Sequence, residues 1–344
     1  MIFPKEIRRI VIRSPNWIGD VIHSLPALDA IRGHFPGAEI AVLGRGEVGT
    51  ALKDYPAVDR VISYPRRPAA FLNLWRVAAD LRTQSFDLGI LLTNSFEGAW
   101  IFFLAGIPRR YGYAADGRGW LLTDPVPDNQ QTKSVHQADY YLDLLFPMGI
   151  KSRVGQTRLR VGTEERGVAQ RRLSASGWSP EKRLIALCPG ASYGSAKRWP
   201  ASRFGELAKR LVATKRVMVV LLGGREEQGL AYEFPNAKPR ELVDLIGRTT
   251  LREALALLAC CDLAVCNDSG LLHLAVAVGT PAVALFGPTD PNRTGPIGGN
   301  VTLLRRPVAC SPCEMRECPI DHCCMHKISV EEVFDAVRGE AVAG

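Results

Sequence analysis

The stretch LAVCNDSGLLHLAVAVGTPAVALFGP, residues 263–288, decides the fold of this chain. It predicts a buried strand, a tight turn, a short helix, a glycine stop and a second buried strand, an order typical of parallel sheets covered on both faces. Gly279 and Pro281 mark the expected end of the helix. The turn from Asn267 to Gly270 therefore lies where a parallel strand gives way to a helix. Unpaired backbone N–H groups and the helix dipole favour phosphate at such a turn.

Two side chains of this turn suit a phosphorylated sugar ligand. Ser269 offers a hydroxyl donor, and Asp268 offers an acceptor for sugar hydroxyls. The alternative is an ordinary helix cap, which would be the better interpretation if the turn stood alone. The choice therefore depends on the other strand ends.

The composition allows two domains of ordinary size and indicates an anionic partner. The chain has 344 residues, 47% of them hydrophobic, and a formal net charge of +8. Because the basic residues are scattered, local anion sites are favoured over a nucleic-acid-binding tail. No apolar run has the length of a membrane span, and Met1 to Arg13 lacks the pattern of a signal peptide. We therefore expect a cytoplasmic protein that binds no nucleic acid.

The first half begins with a strand–helix–strand unit. A strand is predicted at Ile7 to Ile12, a helix over about 21–34 and a strand at Glu39 to Leu43. The turn between the first strand and the helix lies at a carboxyl strand end, where open α/β sheets bind ligands. Gly19 permits close backbone approach there, and Asp20 projects from the helix start. The alternative is that Asp20 only caps the helix.

Strands and helices alternate through both halves, so the predicted fold class is α/β with parallel sheets. A polar segment that starts near Lys151 separates the halves, and we expect domains at 1–155 and 156–325 whose sheets face across a cleft. The first predicted strand of neither half is followed by a GxGxxG turn, which argues against a nicotinamide dehydrogenase.

Two further strand ends in the second half support a nucleotide site. Cys188 to Ser192 follows one predicted strand, and Lys197 comes soon after it, where a cation can reach a diphosphate. Glu226 and Glu227 follow the next strand, where a carboxylate suits a ribose diol. The alternative for Lys197 and its neighbour Arg198 is a solvated basic pair. Three strand ends that converge on one nucleotide make a stronger prediction than any one of them.

Several segments together resemble a known family. They are NWIGD at 16–20, Asn94 to Phe96, Cys188 to Pro200 with its AKRWP end, NDSGLLH at 267–273 and FGPTDP at 286–291. The combination, which covers nearly the whole chain, resembles the ADP-heptose:lipopolysaccharide heptosyltransferases of glycosyltransferase family 9. The NWIGD and AKRWP forms look most like the heptosyltransferase II branch. The resemblance implies a GT-B fold, with two Rossmann-like domains, the active site between them and a last helix (326–344) that packs back on the first domain.

The resemblance also implies a reaction and its residues. The family transfers L-glycero-D-manno-heptose from ADP-heptose to the first heptose of the lipopolysaccharide inner core, with inversion. Asp20 matches the general base. Lys197 would also act in catalysis, because it and the N–H groups at Ser269 and Gly270 would stabilise the departing diphosphate, an arrangement that requires no metal ion or other cofactor. The donor-site matches are Lys197, Asp268, Ser269, Gly270 and His273, with Ser192 as a weaker match, Glu226 or Glu227 at the ribose, and Thr249 near the adenine.

Acceptor and membrane contacts are expected from the first half. The implied acceptor carries phosphates and carboxylates and sits in a membrane leaflet, so an anionic inner-membrane surface on the cytoplasmic side is an expected peripheral partner. The arginines among the candidate residues could instead form a solvated basic face that contacts neither acceptor nor membrane. The candidates are Asn16, Trp17, Asn94, Arg66, Arg67, Arg109, Arg110 and Arg118.

A cysteine-rich segment near the end is not needed for this reaction. Cys310, Cys313, Cys318 and Cys323 lie close in sequence, with histidines interleaved, and could hold a structural zinc ion. The spacing is not that of a standard zinc finger, so reduced thiols in a loop are the favoured interpretation.

Three other functions stay open at this point. The chain could use a different acceptor, as heptosyltransferase I or a protein heptosyltransferase does. It could be a sugar-nucleotide epimerase of GT-B type, or a sugar-nucleotide-binding protein without catalysis, which the presence of Asp20 disfavours.

Overall fold

Two parallel six-stranded sheets organise the computed structural model, which describes residues 7–64, 70–128, 134–156, 158–234 and 241–339. Arg66 and Arg67, expected to contact the acceptor, lie outside the described residues. The chain divides into two units, Met1–Thr157 and Arg158–Gly344, two residues beyond the boundary expected at 155.

The first sheet has the strand order β3-β2-β1-β4-β5-β6, with all neighbours parallel. Its central strands are apolar and buried because helices cover both faces of a doubly wound sheet. The strands are β1 Arg9–Arg13, β2 Glu39–Arg45, β3 Arg60–Tyr64, β4 Leu88–Leu91, β5 Arg109–Tyr113 and β6 Asp124–Val126.

The helix predicted at about 21–34 is broken into two. Ser24 ends α1, and its hydroxyl donates to the carbonyl oxygen of Val21. Pro26 lies in the first turn of α2, where a missing N–H costs nothing, so a new helix begins there. The helices of this unit are α1 Ile18–His23, α2 Leu25–His34, α3 Ala70–Arg82, α4 Phe96–Leu104 and α5 Gln137–Leu145.

The second sheet repeats the topology of the first. Its order is β12-β11-β10-β7-β8-β9, so both sheets read 3-2-1-4-5-6 when their strands are numbered from one. β9 and β12 were not anticipated from the sequence. The strands are β7 Arg183–Cys188, β8 Val217–Leu221, β9 Leu242–Asp244, β10 Leu263–Asn267, β11 Ala282–Phe286 and β12 Val301–Arg305.

The helices of the second unit include one that the sequence pattern concealed. α6 lies in a segment expected to be a polar linker, and only Ala169 and Leu173 of it are buried. Arg252 pairs with Glu165 of α6 and so ties it to α8. The helices are α6 Thr163–Ala175, α7 Ala201–Ala213, α8 Leu251–Leu258, α9 Gly270–Ala277, α10 Pro291–Thr294, α11 Cys323–His326 and α12 Val330–Gly339.

The last helix packs within the second unit. Val330, Val333 and Val337 of α12 are buried in the same core cluster as side chains of α7. Glu331 also pairs with Arg210 of α7 at 2.5 Å. The expectation that the last helix packs back on the first domain stays a prediction. Within the described ranges, no helix is both long and apolar enough to cross a membrane.

Candidate active site

The strand order of each sheet reverses at one pair of neighbouring strands. These pairs are β1 and β4 in the first unit and β7 and β10 in the second. In open α/β sheets, ligands bind at the carboxyl ends of such a pair, because the turns there diverge to opposite faces and leave a crevice. The turns after these four strands are therefore the candidate ligand-binding turns.

Asp268 lies at the centre of the polar contacts in the second unit. This carboxylate follows β10, is 3% exposed and accepts hydrogen bonds at Oδ2 from the Lys197 ammonium and the Thr289 hydroxyl, both at 2.6 Å. His273 Nε2 lies 3.8 Å from Oδ1. Burial would raise the pKa of Asp268, but the neighbouring His273 and the Lys197 ammonium hold it well below its usual range. Asp268 is therefore an anion that fixes the position of the Lys197 cation.

A buried amide joins the turns that follow β7 and β10. Asn267 is fully buried, and its Nδ2 donates to the carbonyl oxygens of Pro189 at 2.8 Å and Gly190 at 3.3 Å. Its Oδ1 accepts from the backbone N–H of Trp199 at 2.9 Å. One side chain thus holds both turns in register across the strand-order reversal.

The start of α9 offers hydrogen-bond donors beside this pair. Ser269 is the N-cap residue in extended conformation, and its side chain makes no capping hydrogen bond. Its Oγ is buried and has no hydrogen-bond partner among the described residues. The first N–H groups of a helix also lack intrahelical acceptors. Together these donors suit an anionic oxygen.

The Lys197 loop rests on the cysteine-rich segment, here residues 310–324. Backbone N–H of Ala196 donates to the carbonyl oxygen of Arg316 at 2.9 Å, and His322 Nε2 lies 2.6 Å from the carbonyl oxygen of Ala196. A Cβ at Gly194 would lie 2.1 Å from the Arg316 carbonyl oxygen, so only glycine fits there. The Tyr193 hydroxyl donates to the carbonyl oxygen of Glu314, 2.8 Å away. This support was not foreseen from the sequence.

The two candidate ribose carboxylates, Glu226 and Glu227, differ in burial and contacts. Glu226 is exposed, whereas Glu227 is 5% exposed and accepts from the backbone N–H of Gly224 at 2.8 Å. Burial raises the pKa of Glu227. A Cβ at Gly190 would come within 2.0 Å of its carboxylate, so Glu227 lies directly against the turn after β7.

Two weaker donor candidates lie at the same sheet edge but make fewer contacts. Ser192, in the turn after β7, is exposed. Thr249 is half-buried and follows Gly247, whose N–H donates to the carbonyl oxygen of Gly223 at 2.9 Å. The structure thus brings Thr249 close to the turn after β8, which carries Glu227.

The turn after β1 carries Asp20 in the first turn of α1. Asp20 is half-buried, and Trp17, the N-cap residue, is 41% exposed. Burial, and then the charge of Asp20, raise the pKa of Tyr141 in α5, so this phenol stays protonated near the carboxylate. The arrangement leaves Asp20 at the carboxyl edge of the first sheet.

A fully buried arginine supports this turn from below. Arg13, the last residue of β1, donates to Asn16 Oδ1 at 2.7 Å and to the Tyr64 hydroxyl at 2.6 Å. The Tyr64 hydroxyl donates to Glu97 at 2.8 Å, and Glu97 pairs with Arg45 at 2.8 Å. Residues from three strands and α4 therefore hold Asn16 in place.

Asn94 follows β4 and meets a second buried arginine. Its Nδ2 donates to the Tyr140 hydroxyl at 2.6 Å, and Arg118 NH2 lies 3.4 Å from its Oδ1. Arg118 is fully buried, donates to the carbonyl oxygens of Tyr113 and Ser95, and burial lowers its pKa to about 10. Its prediction as a surface contact for acceptor and membrane is wrong, because its donors are used to hold the β4 turn.

Comparison with known proteins identifies the family. The profile of glycosyltransferase family 9 (heptosyltransferase) matches residues 74–324. The chain belongs to glycosyltransferase family 9. It is 32% identical to lipooligosaccharide heptosyltransferase 2 of Haemophilus influenzae over 86% of this chain and 88% of the relative. It is 31% identical to lipopolysaccharide heptosyltransferase 2 of Escherichia coli K12 over the same shares.

A solved structure of the family confirms the expected GT-B fold. The E. coli ADP-heptose lps heptosyltransferase II matches with a TM-score of 0.85 and 27% identity, over 97% of this chain and 99% of that one. Family membership also makes this chain a glycosyltransferase, as the sequence predicted.

Two arginines predicted to contact the acceptor lie away from the carboxyl-edge turns described above. Arg109 opens β5 and pairs in register with Leu88, the first residue of β4, so it lies at the amino edge of the sheet. It forms an ion pair with Asp124 at 2.7 Å. Arg110 donates to the carbonyl oxygens of Leu121 and Ile107, each at 2.6 Å. The structure does not bring either residue to Asp20.

Among the described residues, the cysteine-rich segment shows no arrangement of side chains that could hold a zinc ion. In the part of the chain that the structure describes, which includes Cys310, Cys313, Cys318 and Cys323, no group of three or more His, Cys, Asp or Glu side chains is placed to hold a metal ion. The cysteines are free thiols. The observed role of the segment is to carry the Lys197 loop.

Proposed function

We propose that this glycosyltransferase moves heptose from ADP-heptose to the first heptose of the lipopolysaccharide inner core, the activity of heptosyltransferase II. The observation that carries the proposal is the Lys197–Asp268 pair beside the start of α9 at the strand-order reversal of the second sheet. The names of the relatives at 31 and 32% identity support the choice of donor and acceptor.

Lys197 is the proposed cation for the donor diphosphate. Its ammonium has three N–H donors, and Asp268 accepts one of them, so two can reach phosphate oxygens. Ser269 Oγ and the N–H groups at Gly270 would bind the same phosphate from the helix end. His273 would keep Asp268 ionised. This donor set needs no metal ion or other cofactor to neutralise the diphosphate.

Glu227 is the proposed acceptor for the ribose hydroxyls. It is favoured over Glu226 because it lies against Gly190 of the turn after β7, whereas Glu226 is exposed. Thr249, close to the turn after β8, would lie near the adenine. Ser192 is exposed and would contact the donor only at the edge of its binding site.

Asp20 is the proposed general base. It would take the proton of the acceptor hydroxyl while that oxygen forms a bond to C1 of the heptose and the bond from C1 to the β-phosphate oxygen breaks. ADP then leaves with the extra negative charge, which Lys197 and the N–H donors of α9 stabilise. Attack opposite to the leaving group inverts C1. Asn16, Trp17 and Asn94, at the same sheet edge, are proposed acceptor contacts.

One incubation tests the proposal against its alternatives. The enzyme is mixed with ADP-heptose and heptosylated Kdo–lipid A, and the products are followed by mass spectrometry. Addition of one heptose is expected. Addition only to an acceptor that lacks heptose would indicate heptosyltransferase I, and conversion of ADP-heptose without any acceptor would indicate an epimerase. No change in any mixture would contradict catalysis of this class.

The proposed site of action is the cytoplasmic face of the inner membrane, with the enzyme bound peripherally. The reason is chemical: the proposed acceptor is anchored by acyl chains in a leaflet, and the enzyme must approach it there.

A further inference from the structure

An aromatic cluster on the surface of the first unit has no part in the site described above. The cluster consists of Phe96, Trp100 and Phe103 of α4 and Trp120 of the turn Gly119–Leu121, and neighbouring rings in it have centroids 5.8 to 6.3 Å apart. Phe96 is 39% exposed, Phe103 40% and Trp120 64%, and Trp100 is half-buried. We call these four side chains the aromatic patch.

The patch lies on a helix that is apolar on both faces. The inner face of α4 buries Ala99, Ile101 and Phe102 in the core of the first unit. A helix at the surface of a water-soluble domain normally turns polar side chains outward. Here the outward residues are aromatic and contiguous, and contiguous apolar surface marks an interaction site.

Two cations flank the carboxyl end of α4. The Arg110 guanidinium lies 5.5 Å from the centroid of the Phe103 ring, and Arg82 donates to the carbonyl oxygen of Leu104 at 2.6 Å. An aromatic patch that contains tryptophan and has arginines at its edge suits a membrane–water interface, because the rings partition to headgroup depth and the cations attract anionic lipid. Charge complementarity thus favours an anionic bilayer as the occupant.

The patch begins next to the turn that carries Asn94. Ser95 caps α4 through a hydrogen bond from the backbone N–H of Gly98, and Phe96 is the first helical residue. The patch therefore extends from the carboxyl edge of the first sheet, the edge that also bears Asp20. A bilayer against the patch would hold this edge near a lipid-anchored acceptor.

We propose that the aromatic patch docks the first unit on an anionic lipid bilayer, with Trp120 and Phe103 inserted at the headgroup level. Membrane binding is inferred from the residues of the patch alone. Only the purpose of this binding, access to a lipid-anchored acceptor, rests on the proposed function.

Cosedimentation with lipid vesicles tests the proposal without any turnover. Wild type, Trp120→Ser and Phe103→Ser are compared on vesicles that contain phosphatidylglycerol and on vesicles of phosphatidylcholine alone. Phe146→Ser is the matched control, because Phe146 is 60% exposed, also has a cation over its ring and lies outside the patch. Thermal melts check that each variant is folded.

We expect wild type to prefer the anionic vesicles and each patch variant to bind them about tenfold more weakly, with the control unchanged. Equal vesicle binding by all four proteins would overturn the proposal. A second arm uses an acceptor oligosaccharide without acyl chains, on which the patch variants should keep the wild-type KM. A raised KM there would mean that the patch binds sugar and not lipid, and would also overturn it. Because vesicle binding needs neither donor nor acceptor, failure of the proposed function would leave this result standing.

Discussion

The two sheets share one strand order, but the turns at their reversal points are held in different ways. In the second unit, Lys197, Asp268 and Thr289 contact one another directly, so the residues expected to bind the ligand also position each other. In the first unit, Asn16 depends on Arg13, which in turn contacts Tyr64 beneath the turn. The proposed donor turn is therefore positioned by contacts among its own residues and by the cysteine-rich segment, whereas the proposed acceptor turn is positioned by residues outside its motif.

The largest expected effect comes from the first unit. Asp20→Asn removes the proposed base and should lower kcat by about 10² to 10⁴, because that is the usual contribution of general-base catalysis. Affinity for ADP, measured by calorimetry, should not change. Asp80→Asn, an exposed aspartate on α3, is the control and should keep wild-type turnover. A kcat within a few-fold of wild type for Asp20→Asn would remove Asp20 from the mechanism.

Removal of the buried arginine that holds Asn16 should lower the stability of the fold. Arg13→Met would leave the Tyr64–Glu97 contact without its buried cation and Asn16 without its donor, so the free energy of unfolding should fall by about 3 kcal/mol. Arg60→Met, at an exposed ion pair, should change it by less than about 1 kcal/mol. Chemical denaturation followed by circular dichroism measures both. Equal stabilities would mean that the buried arginine does not hold the turn.

In the second unit, the corresponding test disturbs the contact between the Lys197 loop and the cysteine-rich segment. Gly194→Ala places a Cβ against the Arg316 carbonyl oxygen, and since backbone cannot move aside cheaply, the loop must shift. ADP affinity should fall about tenfold, because a displaced cation loses charge-assisted contacts. Gly229→Ala, in the same unit and with open space around its Cα, should bind ADP normally. Unchanged affinity in both variants would show that the cysteine-rich segment does not position Lys197.

The sequence predicted which side chains lie together at the turn of the second unit better than it predicted the surroundings of the first-unit turn. Lys197 and Asp268 are recognisable because strand ends in a parallel sheet converge, and both were expected to bind the donor. Arg118 was misjudged because nothing local shows that its guanidinium turns inward to carbonyl oxygens. Arg109 could have been placed correctly, since it opens its strand and so must lie at the amino edge.

Other misses have identifiable causes. The break between α1 and α2 was visible as Pro26, but amphipathic spacing across residues 21–34 concealed it. α6 escaped detection because only two of its side chains are buried, and its stability comes from its capping and from the ion pair to α8. Arg13 was overlooked because an arginine that ends an apolar strand resembles a solvated residue.

The ionisation of Asp268 predicts a smaller, pH-dependent effect. Because its folded-state pKa lies below the ordinary value, the carboxylate stabilises the fold above its unfolded-state pKa, and this stabilisation is lost as the pH falls through and below the usual aspartate range. Asp268→Asn should therefore lose less stability than wild type between neutral pH and about pH 3. Parallel stability curves for the two proteins would contradict the ion pair.

The affinity for ADP, measured by calorimetry, tests most directly whether the second-unit turn binds the donor while the first-unit turn supplies the base. Wild type, Asp20→Asn and Lys197→Ala are titrated with ADP under one buffer condition. We expect Asp20→Asn to bind like wild type and Lys197→Ala to bind at least about tenfold more weakly, because the diphosphate loses its cation. Wild-type ADP affinity in Lys197→Ala would contradict the assignment of the donor site to the second unit's Lys197–Asp268 pair.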